Sequence, residues 1–253
     1  MNIHATRVTP RPVSKEHTIW QPHVIKPTDM ADGVAKFVPD PLPPPPPRRD
    51  GKKPKPPKAL GELKGEFAAV ETDGAIEVDY AYTPSLEWET VEAGFTTLLT
   101  KDCTQVRFLG DGPYEAYPEA AKLDNFGLWK LHKDDLYFPG NRLNARAVVI
   151  DDGRGNGYLV LPAGNATTFA FSLERTEDGK GVAFSHNAKV SGTFSKYVWP
   201  MDVKKIAAGE KLKGSFRIAR LTPESWTPSF RALFGEPDEK IVPFKPDFNS
   251  YDK

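Results

Sequence analysis

The chain has 253 residues, 39% of them hydrophobic and 27% charged, with 34 basic and 34 acidic side chains. That balance fits a globular core with attached tails. It excludes a membrane-spanning helix, because no run approaches the roughly 18 apolar residues such a helix needs, and the single Cys103 excludes an internal disulfide.

The zero net charge hides an asymmetry. Residues 1–60 hold 11 Lys and Arg against 5 Asp and Glu, and 14 of the 25 prolines; residues 61–253 hold 23 against 29. The first segment has too sparse an apolar pattern to offset its ordering entropy, so a disordered, proline-rich basic linker is expected over 1–60. Within it Pro39–Pro47 predicts polyproline II, and Arg48–Lys58 predicts a semi-rigid basic spacer. Readings of that spacer as an SH3-type ligand or an anionic-surface contact stand behind the linker reading. The start MNIHATRVTP has no apolar core of a secretory signal, which predicts a cytoplasmic protein.

Residues 61–221 read as β nearly throughout. Phe67–Val70 and Ala75–Tyr82 flank a Thr72-Asp73-Gly74 turn, and Ile76, Val78 and Tyr80 alternate with polar residues as a half-buried strand does. Val91–Leu99 and Gln105–Leu109 follow, then Leu143–Ile150 and Gly157–Leu161 about a glycine-rich turn. Thr168–Leu173 and Val182–Ser185 are separated by the turn residues Glu177-Asp178-Gly179-Lys180-Gly181, and Lys213–Ile218 closes the series. Many short strands punctuated by Asp-Gly predict an antiparallel sandwich, and about 160 residues suffice for one core. Only Pro118–Lys122 and Pro223–Phe234 look helical, and residues 222–253 are expected as an extended tail.

One stretch carries more functional information than the rest. Arg107–Pro118 reads RFLGDGPYEAYP, a backbone reversal in which Gly110 and Gly112 would tolerate positive φ and Pro113 would fix the next residue. It resembles the W-x-G-x-GP-x-E-x-Y-P stretch in the C-terminal β-sandwich, or small-chain domain, of family 2 β-galactosidases. Asp134–Arg146 followed by Asp152–Gly157 is similar to the family's strand with an N-R motif and the hairpin after it. Leu173–Gly192, with SHNAKVSG at Ser185–Gly192, and then Trp199–Pro200 resemble its last strands. The resemblance spans Leu60 to Leu221, in matching order. It implies an all-β antiparallel supersandwich of the galactose-mutarotase type, here flanked by disordered tails.

The resemblance also implies an accessory role. The family's two catalytic glutamates sit in a TIM barrel, which needs roughly 250 residues to itself. Retaining glycosidases hold their two carboxyls about 5 Å apart, and no pair in this chain matches the family's catalytic motifs. The expected partners are a β-galactoside and a separate barrel chain whose cleft the sandwich completes; no nucleic acid, membrane, metal or cofactor is expected. Alternatives are a stand-alone carbohydrate-binding module, an inactive remnant, or a sugar mutarotase.

Six residues are candidates for sugar contact. Trp199, before Pro200 in SKYVWPMD, offers an indole face of the kind that stacks on sugar C–H bonds, and it lies where the family places a pocket tryptophan. Tyr114 and Tyr117 flank Glu115 in the first motif, where Glu115 reads as a hydrogen-bond acceptor rather than a catalyst. Asn141 and Arg142 follow Gly140, and on one continuous strand Arg142 and Arg146 would share a face. That face could line a ligand groove, pair with a partner domain or form a structural ion pair. His186 follows the strand at Val182–Ser185, and sugar mutarotases, which share this sandwich type, use a His and a Glu as acid and base. Asp134-Asp135 and Asp151-Asp152 are read as turn and strand-end residues, since neighbours on a strand face opposite ways. The five histidines lack Cys or His partners at ligand spacing, and Cys103 is expected as a reduced, partly buried thiol.

Overall fold

A computed structural model describes residues 2–7, 21–31, 34–39, 63–99, 103–113, 116, 125–136, 141–175, 182–190 and 204–243. The strands in chain order are β1 Asn2–Arg7, β2 Gln21–Ala31, β3 Val34–Pro39, β4 Leu63–Thr72, β5 Ala75–Pro84, β6 Trp88–Leu98, β7 Gln105–Gly112 and β8 Asn125–His132. They continue with β9 Asn141–Ala145, β10 Ala147–Asp151, β11 Gly157–Pro162, β12 Phe169–Arg175, β13 Val182–Val190, β14 Lys204–Ile206 and β15 Leu212–Leu221. Among the described residues one α-helix, α1 Pro228–Phe234, follows a 3-10 turn at Pro223–Ser225.

Every pairing is antiparallel, as the sequence predicts, and the hydrogen-bonded order runs β8-β7-β10-β11-β15-β5-β4-β3-β2-β1-β6-β13-β12-β9, with β14 on β6. The path folds over itself. Phe216 on β15 and Phe95 on β6 lie 6.3 Å apart although five strands separate their elements along the order. Phe184 on β13 meets Phe216 at 5.8 Å, and Phe108 on β7 meets Phe171 on β12 at 5.3 Å. Two layers therefore enclose an aromatic core, in which each fully buried Phe contributes about 1.5–3 kcal/mol. The end strand β9 also lies against β7, the neighbour of the other end: a Cβ at Gly110 on β7 would stand 3.0 Å from the Ala145 Cα on β9.

β10 shows why some strands lack alternation. Val148 and Ile150 face the interlayer core, whereas Ala147 and Val149 face outward into a second apolar cluster with Leu221, Trp226 and Phe234. A strand covered on both faces reads as a continuous apolar run.

The structure differs from the expectation at both termini. Three strands, β1 to β3, fall inside the expected linker and pair into the path between β4 and β6. Backbone hydrogen bonding to existing sheet edges gives these segments partners that their own pattern does not reveal. Pro22 stands near the start of β2, and the register shifts between Pro27 and Asp29, as the missing proline donors require. Pro39, the first residue of the expected polyproline stretch, ends β3, while the rest of that stretch and the basic spacer lie in residues 40–62, outside the described residues. At the other end, residues 222–243 are packed rather than extended, because the outward apolar residues of β10 and β11 need a cover.

Beneath that cover lies a buried ion pair. Arg107 on β7 donates to the Asp151 carboxylate and to Gln105 Oε1 at 2.8 Å, and both charged side chains are fully shielded. Its other contacts reach the C-terminal segment: the Glu236 carbonyl at 3.0 Å and the Trp226 ring, 5.1 Å from centroid to guanidinium. Burial pushes the Asp151 carboxyl up from 3.8 to about 6, against the pull of Arg107 and the Gly153 N–H. The folded state thus favours the protonated acid. The stability this gives is present below about pH 4 and is lost as pH rises through about 6. Urea denaturation of wild type and Asp151→Asn is expected to show that loss between pH 4 and 6 in wild type only. Parallel profiles would refute the assignment.

Candidate functional site

The best-matched motif is bolted to the second one. β7 carries Gly110 and Gly112 into a cis Gly112–Pro113 peptide, but neither glycine has positive φ. They are needed for close approach instead: a Cβ at Gly110 would stand 3.0 Å from the Ala145 Cα, and one at Gly112 would stand 2.7 Å from the Phe108 ring. Beyond the turn, the Ala116 N–H donates to the Asn141 carbonyl at 2.7 Å, and Asn141 Nδ2 donates to the Ala116 carbonyl at 3.4 Å. Arg142 Nε donates to the Pro113 carbonyl at 3.4 Å. Tyr114, Glu115 and Tyr117 lie outside the described residues, as does Trp199.

Arg142 and Arg146 do not share a face. Asn144 has φ of +52°, and the run expected as one strand breaks at Arg146. Arg142 is buried, its guanidinium 5.6 Å over Phe108 and 5.8 Å over Phe171, whereas Arg146 is exposed over Phe126 at 5.0 Å. Arg142 therefore holds core rings and the motif loop together.

Asn141 belongs to a polar row on the outer face of β6, β13, β12 and β9. The registers Ser172↔Asn141, Ser172↔Ser185 and Ser185↔Thr96 place these side chains on one side of the sheet. Asn187 Nδ2 donates to Asn141 Oδ1 at 2.7 Å, to Ser172 Oγ at 3.2 Å and to Glu92 Oε2 at 3.2 Å. Thr96 and Ser185 share a hydrogen bond of 2.8 Å.

His186, one residue away, faces the opposite side. It stacks on Phe216 at 5.1 Å and on Phe169 at 5.7 Å, and its Nδ1 shares a hydrogen bond of 2.8 Å with the Tyr80 hydroxyl. Burial drives the Tyr80 phenol far above its ordinary range, so it remains protonated. His186 is thereby built into the aromatic core.

His186 and Asn187 both border an open depression of about 390 Å³ between β9, β13 and the start of β15, together with Asn144, Thr168, Lys213 and Ser215. The last four carried no sequence signal of a site. The carboxylates buried elsewhere have structural partners. Asp111 accepts from Asn144 Nδ2 at 2.6 Å, Asp135 accepts from the His132 N–H at 3.1 Å, and Asp151 pairs with Arg107. Asp152 accepts from Arg154 and Asn156, so it orders the turn, as read from the sequence. Cys103 is fully buried. Among the described residues no three His, Cys, Asp or Glu side chains group so as to hold a metal ion, and no helix is long and apolar enough to cross a membrane.

A family model described as β-galactosidase small chain matches residues 55–212. The chain belongs to the β-galactosidase small chain family. The match runs from before β4 to the first residue of β15, so it takes in both layers, the Gly-Asp-Gly-Pro motif and the polar row, while α1 lies beyond it. Among solved structures, a galactose mutarotase related enzyme from Lactobacillus acidophilus superposes with a TM-score of 0.40 at 8% identity, over 78% of this chain and 71% of that one. The galactosidase domain of an alpha-galactosidase-sucrose kinase superposes with a TM-score of 0.38 at 10% identity, over 86% of this chain and 27% of that one. No curated protein matches the chain.

Proposed function

We propose that the chain is the accessory β-sandwich portion of a family 2 β-galactosidase. In this reading it binds carbohydrate at the edge of an active-site cleft and completes that cleft for hydrolysis of terminal β-galactosides, while a separate barrel chain supplies both glutamates. The observation that carries the reading is the small-chain family match over residues 55–212. The engagement of Asp111, Asp135 and Asp151 in structural contacts agrees with a chain that supplies no acid/base pair. The surroundings of His186, with Nδ1 on Tyr80 and the ring between Phe169 and Phe216, favour a structural role over mutarotase catalysis. Sugar contact by Trp199, Tyr114 and Tyr117 belongs to the same reading.

The tagged chain is expected to capture a large second chain from its native lysate, and the eluate to hydrolyse a chromogenic β-galactoside. An eluate with neither partner nor hydrolysis would overturn the reading. Sugar affinity in the lone chain would then favour a stand-alone binding module.

A further inference from the structure

β8 ends the hydrogen-bonded path, and β7 is its one neighbour among the described residues. The ladder between them runs unbroken from Gln105↔His132 to Gly112↔Asn125. In such a ladder the backbone groups of successive residues point alternately toward the neighbour and away from it. Observed hydrogen bonds fix which residues of β8 point away. The Leu109 carbonyl accepts from the Arg146 N–H on the β10 side of β7, so Leu109 and Leu128 opposite it do not exchange bonds. The Lys133 N–H, just past β8, donates to the Thr104 carbonyl at 2.8 Å, which puts the odd-numbered residues on the β7 side. Phe126, Leu128 and Lys130 therefore hold their N–H and C=O groups toward the open edge. His132 shares that direction, and the Asp135 carboxylate accepts from its N–H at 3.1 Å. Among the described residues nothing caps the others in this way.

Open edges are normally blunted by proline, a bulge, short length or charge. β8 is eight residues long, reads NFGLWKLH and has neither proline nor register shift. The ammonium of Lys130 is matched by Glu239 at 2.6 Å, and Phe126 is 47% exposed. Unpaired N–H and C=O groups in a row are complementary to another strand.

The residues of this edge fit a second copy of themselves. On a twofold axis at Leu128, the two Leu128 residues exchange both backbone bonds, and Phe126 does the same with the partner's Lys130. Every group left open on one copy finds its mate on the other, as a twofold interface requires. The side chains of Phe126, Leu128 and Lys130 share a face, so leucine meets leucine and each phenyl ring meets a lysine. The two lysines lie on opposite sides of the axis and do not oppose each other. We propose that the chain pairs with a second copy of itself through β8, in an antiparallel ladder centred on Leu128 that joins the two sheets into one. The pairing needs neither a barrel chain nor a sugar, so it stands or falls apart from the role in a galactosidase cleft.

Sedimentation velocity of the purified full chain from about 1 to 100 μM tests this. A reversible dimer with a Kd inside that range is expected, as suits a small interface. Amide exchange at Phe126, Leu128 and Lys130 is expected to slow as concentration rises, while Gly127 and Trp129 stay protected throughout. Phe126→Lys sets like charges opposite each other and is expected to weaken the dimer at least about tenfold. Phe126→Glu faces the same lysine with the opposite charge and is expected to keep the dimer within about threefold. Both variants, altered at an exposed side chain, are expected to melt within about 2 °C of wild type when dilute. A monomer at every concentration would overturn the proposal, and loss of a captured large chain in Phe126→Lys would then assign the edge to that chain. A dimer whose amide exchange at these residues does not change with concentration would also overturn it, as would equal effects of Phe126→Lys and Phe126→Glu.

Discussion

Gly94→Ala is expected to leave little or no folded protein. A Cβ at Gly94 would stand 1.9 Å from the His186 carbonyl oxygen and 2.9 Å from both the His186 carbonyl carbon and the Asn187 Cα. All three atoms are backbone, so no rotamer change relieves the clash. Gly94 lies opposite Asn187 in the β6–β13 ladder, and β6 also carries β1 and β14. For alanine to fit, β13 must move away, withdrawing His186 from Phe216 and Asn187 from Asn141. The cost is expected to exceed roughly 4 kcal/mol, at the extreme for a single substitution. Any folded fraction is expected to melt at least about 10 °C lower by circular dichroism. Gly74→Ala is the control: φ is +71° and nothing lies within 4 Å, so only the left-handed backbone penalty of about 1 kcal/mol applies. Near-wild-type melting of Gly94→Ala would mean that β6 and β13 are not paired in this register.

The contrast between these two glycines shows what a sequence discloses. The Asp73-Gly74 turn was legible because φ of +52° and +71° is a local demand that turn chemistry advertises. Gly94 was not, because its need arises from a strand some 90 residues away in the chain. The same division runs through the elements. β5 was read almost to its ends, since Val78, Tyr80 and Tyr82 face the core from one side. β8 was missed because it is apolar on both faces, with Leu131 in one cluster and Leu128 against the other. β14 has three residues, too few to show any period. At the candidate site, sequence picked out Asn141, Arg142 and His186 as polar residues worth explaining, and all three are buried and hydrogen-bonded. It could not tell that Arg142 and Arg146 face different ways, because the break at Arg146 depends on Asn144 adopting positive φ.

Trp226→Ala is expected to release the C-terminal segment. Trp226 is 2% exposed, and it is the junction of that segment with the sandwich. Its Nε1–H donates to the Gly155 carbonyl at 2.9 Å, its ring meets Phe230 edge-on at 5.0 Å, and its carbonyl accepts from Arg231 Nε at 2.8 Å. Truncating a buried tryptophan costs about 3–5 kcal/mol, a fall of roughly 10 °C in melting temperature. The consequence runs further than a cavity. Beyond Trp226, the segment is held by the buried Phe234 in the same apolar cluster, by Arg107 donating to the Glu236 carbonyl, by Gln105 donating to the Glu239 carbonyl at 3.0 Å and by the partly exposed Lys130–Glu239 pair at 2.6 Å. The surface pair contributes at most about 1 kcal/mol, and Phe234 packs on Phe230 at 4.8 Å, whose ring in turn rests on Trp226, so loss of the indole loosens the remaining apolar anchor as well. Limited proteolysis is therefore expected to cleave the variant between β15 and α1 while the sandwich survives. Once the segment leaves, water reaches Asp151, whose raised pKa came first from burial. The loss of stability between pH 4 and 6 is then expected to shrink in Trp226→Ala toward that of Asp151→Asn. A variant that keeps both its protease resistance and the wild-type pH profile would show that the cover over β10 and β11 does not depend on this tryptophan.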